Sequence, residues 1–377
     1  MEFSFTKEQK MIRDAAREFL KKECPSDLVR EMEEDDKGFP SKLWHKMAEL
    51  GWQGLIFPVE YGGSGGSFLD LIILFEEMGR YLVPAPFLST VILGGLSILS
   101  AGSEEQKQKF LPKIARGDLI LTMALTEPEL DYNPAGINTQ LSYEGRDFVI
   151  NGTKVFVPYA HVADYFICAT RTRNSEKKED GITLVLIEGN KPGVRCTVLE
   201  NTACDKQCEI VFDRALVAEE NVLGEYDEGW KTVREVLQQA TIAECALMLG
   251  GAERVLEMTV DHAKKRIQFD HPIGSFQAIQ HKCADMLIDL DGAKFATYEA
   301  ACMYSQGLHC SLEVSIAKAW VNEAYKRICA SGHQIHGGTG VIKDHDMHLY
   351  SRRAKVSEFL WGDTGFHREN VAQQLGI

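Results

Sequence analysis

Apolar residues near the start of the chain return at helical intervals. Met11, Ile12, Ala15, Phe19 and Leu20 share one face, and Leu43, Met47, Leu50 and Trp52 roughly repeat the pattern. Phe5-Thr6 followed by Glu8 and Gln9 reads as a capped helix start. Pro58 to Gly66 breaks the period; Phe68 to Ala101 resumes it, interrupted at Pro84-Ala85-Pro86. Near Gly117-Asp118 the period shortens. Leu119 to Thr126 alternates, and Ser142 to Asp147 with Asn151-Gly152 bracket Phe148-Val149-Ile150 and Val155-Phe156-Val157 as hairpins. Tyr165-Phe166-Ile167, Ile182 to Ile187 and Glu209 to Phe212 follow as strands, with Arg171 to Asp180 as a charged, solvated connector. From Gly229-Trp230 onward the pattern is helical again. No repeat of 20 to 50 residues is visible. The pattern therefore predicts an α+β multidomain chain: helical over 1–118, β over 119–225, helical over 226–377.

The most informative stretch is Glu235 to Met286. Up to Lys265 it holds no proline and only the pair Gly250-Gly251, which predicts one long helix with a thin waist where another backbone can approach closely. Its apolar stripe runs through Leu237, Ala240, Leu247, Met248, Gly251, Val255 and Met258, and Glu244 lies within it. Spacing alone favours a surface glutamate paired with a cation. Flanked by Ala243, Cys245, Ala246 and Leu247, the carboxylate would instead lose water on folding, and its pKa would rise toward that of a useful base. After the helix come Arg266-Ile267-Gln268-Phe269, the Asp270-to-Gly274 turn, and a new amphipathic run through Phe276, Ile279 and Met286. An arginine at a helix end can complement the dipole or grip a phosphate.

Composition narrows the class. With 377 residues, 45% hydrophobic and 25% charged, the chain can bury a large core. A net charge of -14 without a dense Lys/Arg cluster makes nucleic acid an unexpected partner. Ten scattered cysteines, with no CxxC and no zinc spacing, suggest small buried residues in a reduced compartment. The start MEFSFTKEQK has neither a charged n-region nor an apolar h-region, and no run is long and apolar enough to span a bilayer. The expectation is a cytoplasmic protein without a membrane segment. The glycine-rich Tyr61 to Gly66 loop lacks the lysine and preceding strand of a P-loop, so a tight turn near an acyl pocket is preferred over a phosphate site.

Five motifs in order carry a resemblance over essentially the whole chain. They are LGWQGLIFPVEYGGSG (50–65), LTEP (125–128), RIQF with its Pro-Ile-Gly turn, SFQ and ADM (266–286), QIHGGTG (334–340) and RRAK (352–355). The sequence resembles the acyl-CoA dehydrogenases. That resemblance implies a helical domain, a β-barrel-like domain and a C-terminal four-helix bundle, with FAD as cofactor. It places Leu125 and Thr126 at the isoalloxazine rim, Phe156 against the ring where the family usually has Trp, and Pro158 where it usually has Thr. It carries Arg266, Gln268, Phe269, Ile273, Phe276, Gln277, Gln334, Gly337, Gly338 and Asp363 over to FAD binding, several of them reaching a neighbouring subunit's FAD. A homo-oligomer, as a dimer of dimers, and reoxidation by an electron-transferring flavoprotein follow as expectations.

The departures concern the base. Arg352-Arg353-Ala354-Lys355 leads to Leu360-Trp361-Gly362-Asp363, so Trp361 stands where the family usually has its glutamate, and the other family position aligns with Ala240. Glu244 lies one turn further, and a branch of the family that this sequence resembles carries a glutamate there. The expected base is Glu244, with Asp363 as rival. The Trp361 amide and the FAD ribityl 2′-hydroxyl are left to hold the thioester oxygen. The usual CoA-side Asp-x-x-Arg aligns with Gln238 and Thr241. Tyr132, Gln238, Thr241 and Leu360 are the substrate-side candidates, and the bulk of Trp361 and Tyr132 suggests a branched, cyclic or aromatic-bearing acyl group. The readings are then a dehydrogenase, an acyl-CoA oxidase using oxygen, or a non-catalytic subunit of a mixed oligomer.

Overall fold

The computed structural model describes residues 5–145 and 147–377. The first helices are α1 (Lys7–Glu23), α2 (Ser26–Glu34), α3 (Ser41–Glu49) and α4 (Phe68–Arg80); after a π-helical run at Leu88–Leu96 come α5 (Ser97–Ala101) and α6 (Glu104–Ala115). Strands β1 (Leu121–Ala124), β2 (Gln140–Glu144), β3 (Asp147–Pro158), β4 (Tyr165–Arg171), β5 (Ile182–Glu188), β6 (Val194–Leu199), β7 (Gln207–Val217) and β8 (Val222–Leu223) form one 8-stranded sheet. Helix α7 (Gly229–Lys265) then leads through the small hairpin β9 (Ile267–Gln268) and β10 (His271–Pro272) to α8 (Gln277–Ser305), α9 (Ser311–His336), α10 (Met347–Ser357) and α11 (Thr364–Leu375). This is the helical, β, helical order that the periodicity predicts. Among the described residues no helix is long and apolar enough to cross a membrane.

Local chemistry explains the boundaries. Thr6 caps α1 by accepting from the Gln9 amide, and the Gln9 side chain bonds back to Thr6 N–H. Ser67 with Asp70 and Ser103 with Gln106 do the same for α4 and α6. The sheet runs in the order β6-β7-β3-β2-β4-β5-β8, with β1 parallel beside β4. One predicted hairpin is absent. Asn151-Gly152 does not turn the chain; it lies inside the continuous β3, where the register against β7 shifts between Ile150 and Gly152. Gly152 is there because its φ is +153° and a Cβ would fall 2.6 Å from the Thr139 hydroxyl oxygen. The loop at 58–66 is a tight turn. The amides of Gly63, Ser64, Gly65 and Gly66 donate to Pro58, Gly54, Phe57 and Leu55 carbonyls, so they present no anion cradle.

Packing divides the chain into two compact units that cut across chain order. One comprises Met1–Glu31, Ser67–Val83 and Thr241–Ile377; the other comprises Met32–Gly66 and Pro84–Ala240. In the first unit α4 crosses α7 at backbone contact. A Cβ on Gly250 would sit 1.8 Å from the Glu76 carbonyl oxygen, and one on Gly79 would sit 1.9 Å from that of Leu247. This is the close approach that the glycine pair predicts. The same crossing carries charge: fully buried Glu77 receives the Arg17 fork at 2.6 and 2.9 Å, and Arg80 bonds Glu253 at 2.9 Å and also Glu257. The middle of α7 is not a one-sided stripe. Thr241 through Ala246 are all buried, because this segment is surrounded by its neighbours.

Gly250→Ala should therefore destabilise the protein by about 3 kcal/mol or more, as overpacking against main chain that cannot yield. Chemical denaturation is the measurement, and an unchanged midpoint would mean that the two helices separate at little cost.

Candidate functional site

In the unit that holds most of α7, Glu244 is 4% exposed. Its surroundings are less apolar than its sequence neighbours suggest. Lys318 of α9 is fully buried and lies within electrostatic reach of Glu244. Burial holds the Lys318 pKa below the ordinary lysine value, and the nearby acidic groups oppose that shift. Its ammonium bonds the Asn322 side-chain oxygen at 2.9 Å and the Ser357 carbonyl at 2.5 Å. Asn322, one turn on, donates to the Glu358 carbonyl at 3.2 Å. Two side chains of α9 thus cap the orphan carbonyls at the C-terminus of α10.

The main chain that leaves α10 passes through Leu360 and Trp361. Trp361 is left-handed, with φ of +61°, and its carbonyl accepts from His367 Nε2 at 3.0 Å. Because a carbonyl only accepts, His367 carries its proton on Nε2, which leaves Nδ1 to accept from Ser315 Oγ at 3.4 Å. Among the described residues the Trp361 amide makes no backbone hydrogen bond, so one donor remains at this turn. Its indole Nε1 is buried without a partner. Gly362 is needed where it stands, since a Cβ would meet Phe366 at 2.5 Å and His367 at 2.8 Å. Asp363 has a structural duty: it is the N-cap of α11 and accepts from the Phe366 amide at 2.8 Å. That duty counts against it as a mobile base.

The same unit brings together the ends of α7 and α9. His262, one turn before Arg266, stacks on His336 at 4.3 Å between ring centroids, and His345 meets His336 edge-on at 4.7 Å. Arg266 and the Gln334-to-Gly338 turn therefore belong to one surface. Gln334, Gly337 and Gly338 are exposed, and a Cβ on either glycine would meet nothing within 4 Å, so this surface has room for an anion. The hairpin after Arg266 projects Phe269 at 84% exposure, and its ring lies 6.2 Å from Phe276. Gln268 and Gln277 are exposed, whereas Ile273 is half-buried and donates its amide to the Arg266 carbonyl at 2.8 Å.

The sheet unit holds the remaining candidates. Leu125 and Thr126 follow β1, and their amides make no backbone hydrogen bond among the described residues, which leaves two donors there. Their carbonyls are engaged. Leu125 O accepts from Lys154 Nζ at 3.0 Å and Thr126 O from the Val155 amide at 2.9 Å. Lys154 is itself fully buried and bonds Glu127 at 2.7 Å, while Glu127 also accepts the amides of Asn138 and Thr139. Sequence reasoning passes over this pair, although Glu127 sits inside the LTEP motif. Phe156 is left-handed at the second register shift of β3 and 46% exposed, so it offers a ring face; Pro158 pairs with Gln207 and has no N–H to offer. Tyr132 and Gln238 are half-buried in this unit, and Thr241 and Leu360 belong to the other.

Comparison with known proteins places the chain. It matches the models of the acyl-CoA dehydrogenase N-terminal domain over residues 6–118, the middle domain over 122–215 and the C-terminal domain over 227–376. It is 32% identical to an acyl-CoA dehydrogenase of Bacillus subtilis over 375 residues, covering 98% of each chain. It is 33% identical to the CarC subunit of a caffeyl-CoA reductase-Etf complex of Acetobacterium woodii, covering 93% of this chain and 94% of that one. The butyryl-CoA dehydrogenase structure of Megasphaera elsdenii superposes with a TM-score of 0.93 over the full length of both chains, at 29% identity.

The Trp361 turn generates a pH prediction. Burial, reinforced by the Lys318 charge, lowers the His367 pKa from 6.5 to about 4. The unfolded chain then takes up a proton at higher pH than the folded one, so stability is full above about 6.5 and falls as pH drops toward 4. His336 shifts the same way, so a difference is needed. Thermal melts should show a shallower decline for His367→Gln than for the parent over this window; parallel curves would mean that His367 charges freely when folded.

Proposed function

Because the chain belongs to the acyl-CoA dehydrogenase family, we propose that it converts an acyl-CoA thioester to the 2-enoyl-CoA with Glu244 as the base. FAD, the family's cofactor, supplies the hydride acceptor that no side chain offers. Glu244 takes the α-proton. The Trp361 amide holds the thioester oxygen, where negative charge grows as that proton leaves. The observation that carries this reading is the burial of Glu244 beside Lys318, the same lysine that holds the main chain leading to the open Trp361 amide.

The residues fit the cofactor in type. Donors at Leu125 and Thr126, a ring face at Phe156 and an open glycine turn beside Arg266 suit an isoalloxazine rim, its face and a pyrophosphate. If Arg266, Gln268, Phe269, Gln334, Gly337 and Gly338 serve the FAD of a neighbouring copy, a dimer is the smallest complete assembly and a dimer of dimers the working form. Ile273, Phe276 and Gln277 then back that surface. Tyr132, Gln238, Thr241 and Leu360 shape the substrate side, and the bulk of Trp361 and Tyr132 favours a branched, cyclic or aromatic-bearing acyl group. The Acetobacterium relative is named as a subunit of an Etf complex, which supports an electron-transferring flavoprotein as the acceptor here.

Glu244→Gln should keep bound flavin and acyl-CoA binding yet lower turnover by about 10²-fold or more, the scale of a lost general base. Asp363→Asn should lower it much less. Near-normal turnover of the Gln variant with flavin bound would make Glu244 structural. A panel of straight, branched, cyclic and aryl thioesters, scored by bleaching of the flavin, tests the acyl class. Electron-transferring flavoprotein should reoxidise the reduced enzyme far faster than air does, and peroxide released at the rate of turnover would favour an oxidase.

A further inference from the structure

The sheet unit holds a second cluster of reactive groups that the dehydrogenation does not use. Cys196 faces Ile210 and Cys208 faces Val198 across antiparallel β6 and β7, so the two cysteines are diagonal neighbours on one face of the sheet. Their thiols interact with each other. On the other side of Cys208 stands His161, whose Nδ1 is 3.6 Å from the sulfur and whose Nε2 lies 3.1 Å from the Lys37 carbonyl oxygen. The carbonyl can only accept, so Nε2 carries a proton. Nδ1 therefore points its lone pair at Cys208 and can take the thiol proton. The hydrogen bond from Cys196 and the contacts with His161 hold the Cys208 thiol below the ordinary cysteine range against its burial, while the same pairing and desolvation raise Cys196. Cys168 and Cys245, buried without such neighbours, are pushed up to about 12.

We propose that Cys208 and Cys196, with His161 as the base, form a dithiol that a small hydroperoxide closes reversibly to a disulfide. Cys208, as thiolate, attacks one peroxide oxygen. An S–O bond forms, the O–O bond breaks, and the departing hydroxide, or alkoxide from an organic hydroperoxide, takes the proton held on His161 to leave as water or alcohol. The Cys196 sulfur then displaces hydroxide from the Cys208 sulfenic acid; an S–S bond forms, and the Cys196 proton leaves with the hydroxide as water. Two thiols lose two electrons and the peroxide gains them. Cys208 is fully buried, so peroxide reaches it by the side of half-buried Cys196. The strand that bears Cys196, β6, is the edge of the sheet, and an edge strand can move to admit the peroxide and to close the short distance that a diagonal pair needs.

The test uses the full chain as purified, treated with a few equivalents of hydrogen peroxide, alkylated, digested and read by mass spectrometry. The expected product is one linked peptide pair joining Cys196 and Cys208, lost on treatment with dithiothreitol. In Cys196→Ser, dimedone should trap a sulfenic acid at Cys208. His161→Gln should slow formation of the link by about tenfold or more, and thermal melts would verify that each variant is folded. Cys208→Ser should abolish the link, and Cys208→Ala stands in if that variant does not fold. Exposed Cys204 serves as the internal control. If peroxide consumes Cys204 while Cys208 stays reduced, or if Cys208 oxidises without linking to Cys196, the proposal fails. A link that forms at the parent rate in His161→Gln overturns the role of the base.

Discussion

The unit that holds Glu244 depends on two helices touching through their backbones. Where α4 crosses α7, Gly79 and Gly250 each face a carbonyl oxygen of the other helix with no space for a methyl group. Helices packed this closely gain dispersion along both main chains, but they cannot be wedged apart by side chains to accommodate change elsewhere. The carboxylates that the crossing brings inside are each matched. Glu77 meets Arg17, Arg80 meets Glu253 and Glu257, and Glu76 accepts from Tyr298. Buried charges left alone would cost several kcal/mol each, so these pairs are a condition of the contact rather than an extra source of stability. Glu244 inherits its position from this crossing, since it lies on the same helix a little under two turns from Gly250.

Much of the fold was readable from the chain because its periods change cleanly. The helix of α1, the change to strands after Gly117 and the unbroken run of α7 appear as predicted; the α1 stripe and the alternation do not, since Met11 and Ala15 are exposed and β1 is buried at every position. The failures have physical causes. Asn151-Gly152 carries the strongest hairpin signal in the region, yet Gly152 is required by the neighbouring Thr139 and by a strand irregularity, which short-range reading cannot tell from a turn. Spacing predicts a single stripe on α7 because it reports the sharpest face and is silent about neighbours that enclose the others.

The candidate site was legible in part. Glu244 and Trp361 could be singled out because motif order draws attention to them. Their supports were missed. Lys318 and Asn322 are four residues apart on α9, among the buried Val314, Ala317, Val321 and Tyr325, and a charged residue and an amide at that spacing on an apolar face are a signal that could have been read. Lys154 and Glu127 were hidden for a different reason. Each looks like an ordinary surface charge until the sheet register brings them together under the Leu125 carbonyl.

The turn after α10 is held by its oxygens. Lys318 and Asn322 take the carbonyls of Ser357 and Glu358, and His367 takes that of Trp361, whereas the Trp361 amide is left open. Those carbonyls belong to peptide units on either side of the Leu360–Trp361 unit that carries the open N–H, and none of the three bonds involves the indole. The side chain at position 361 can thus be exchanged without removing any of the three bonds that hold the turn. The polar skeleton of the turn is thereby separate from the bulk that this residue presents.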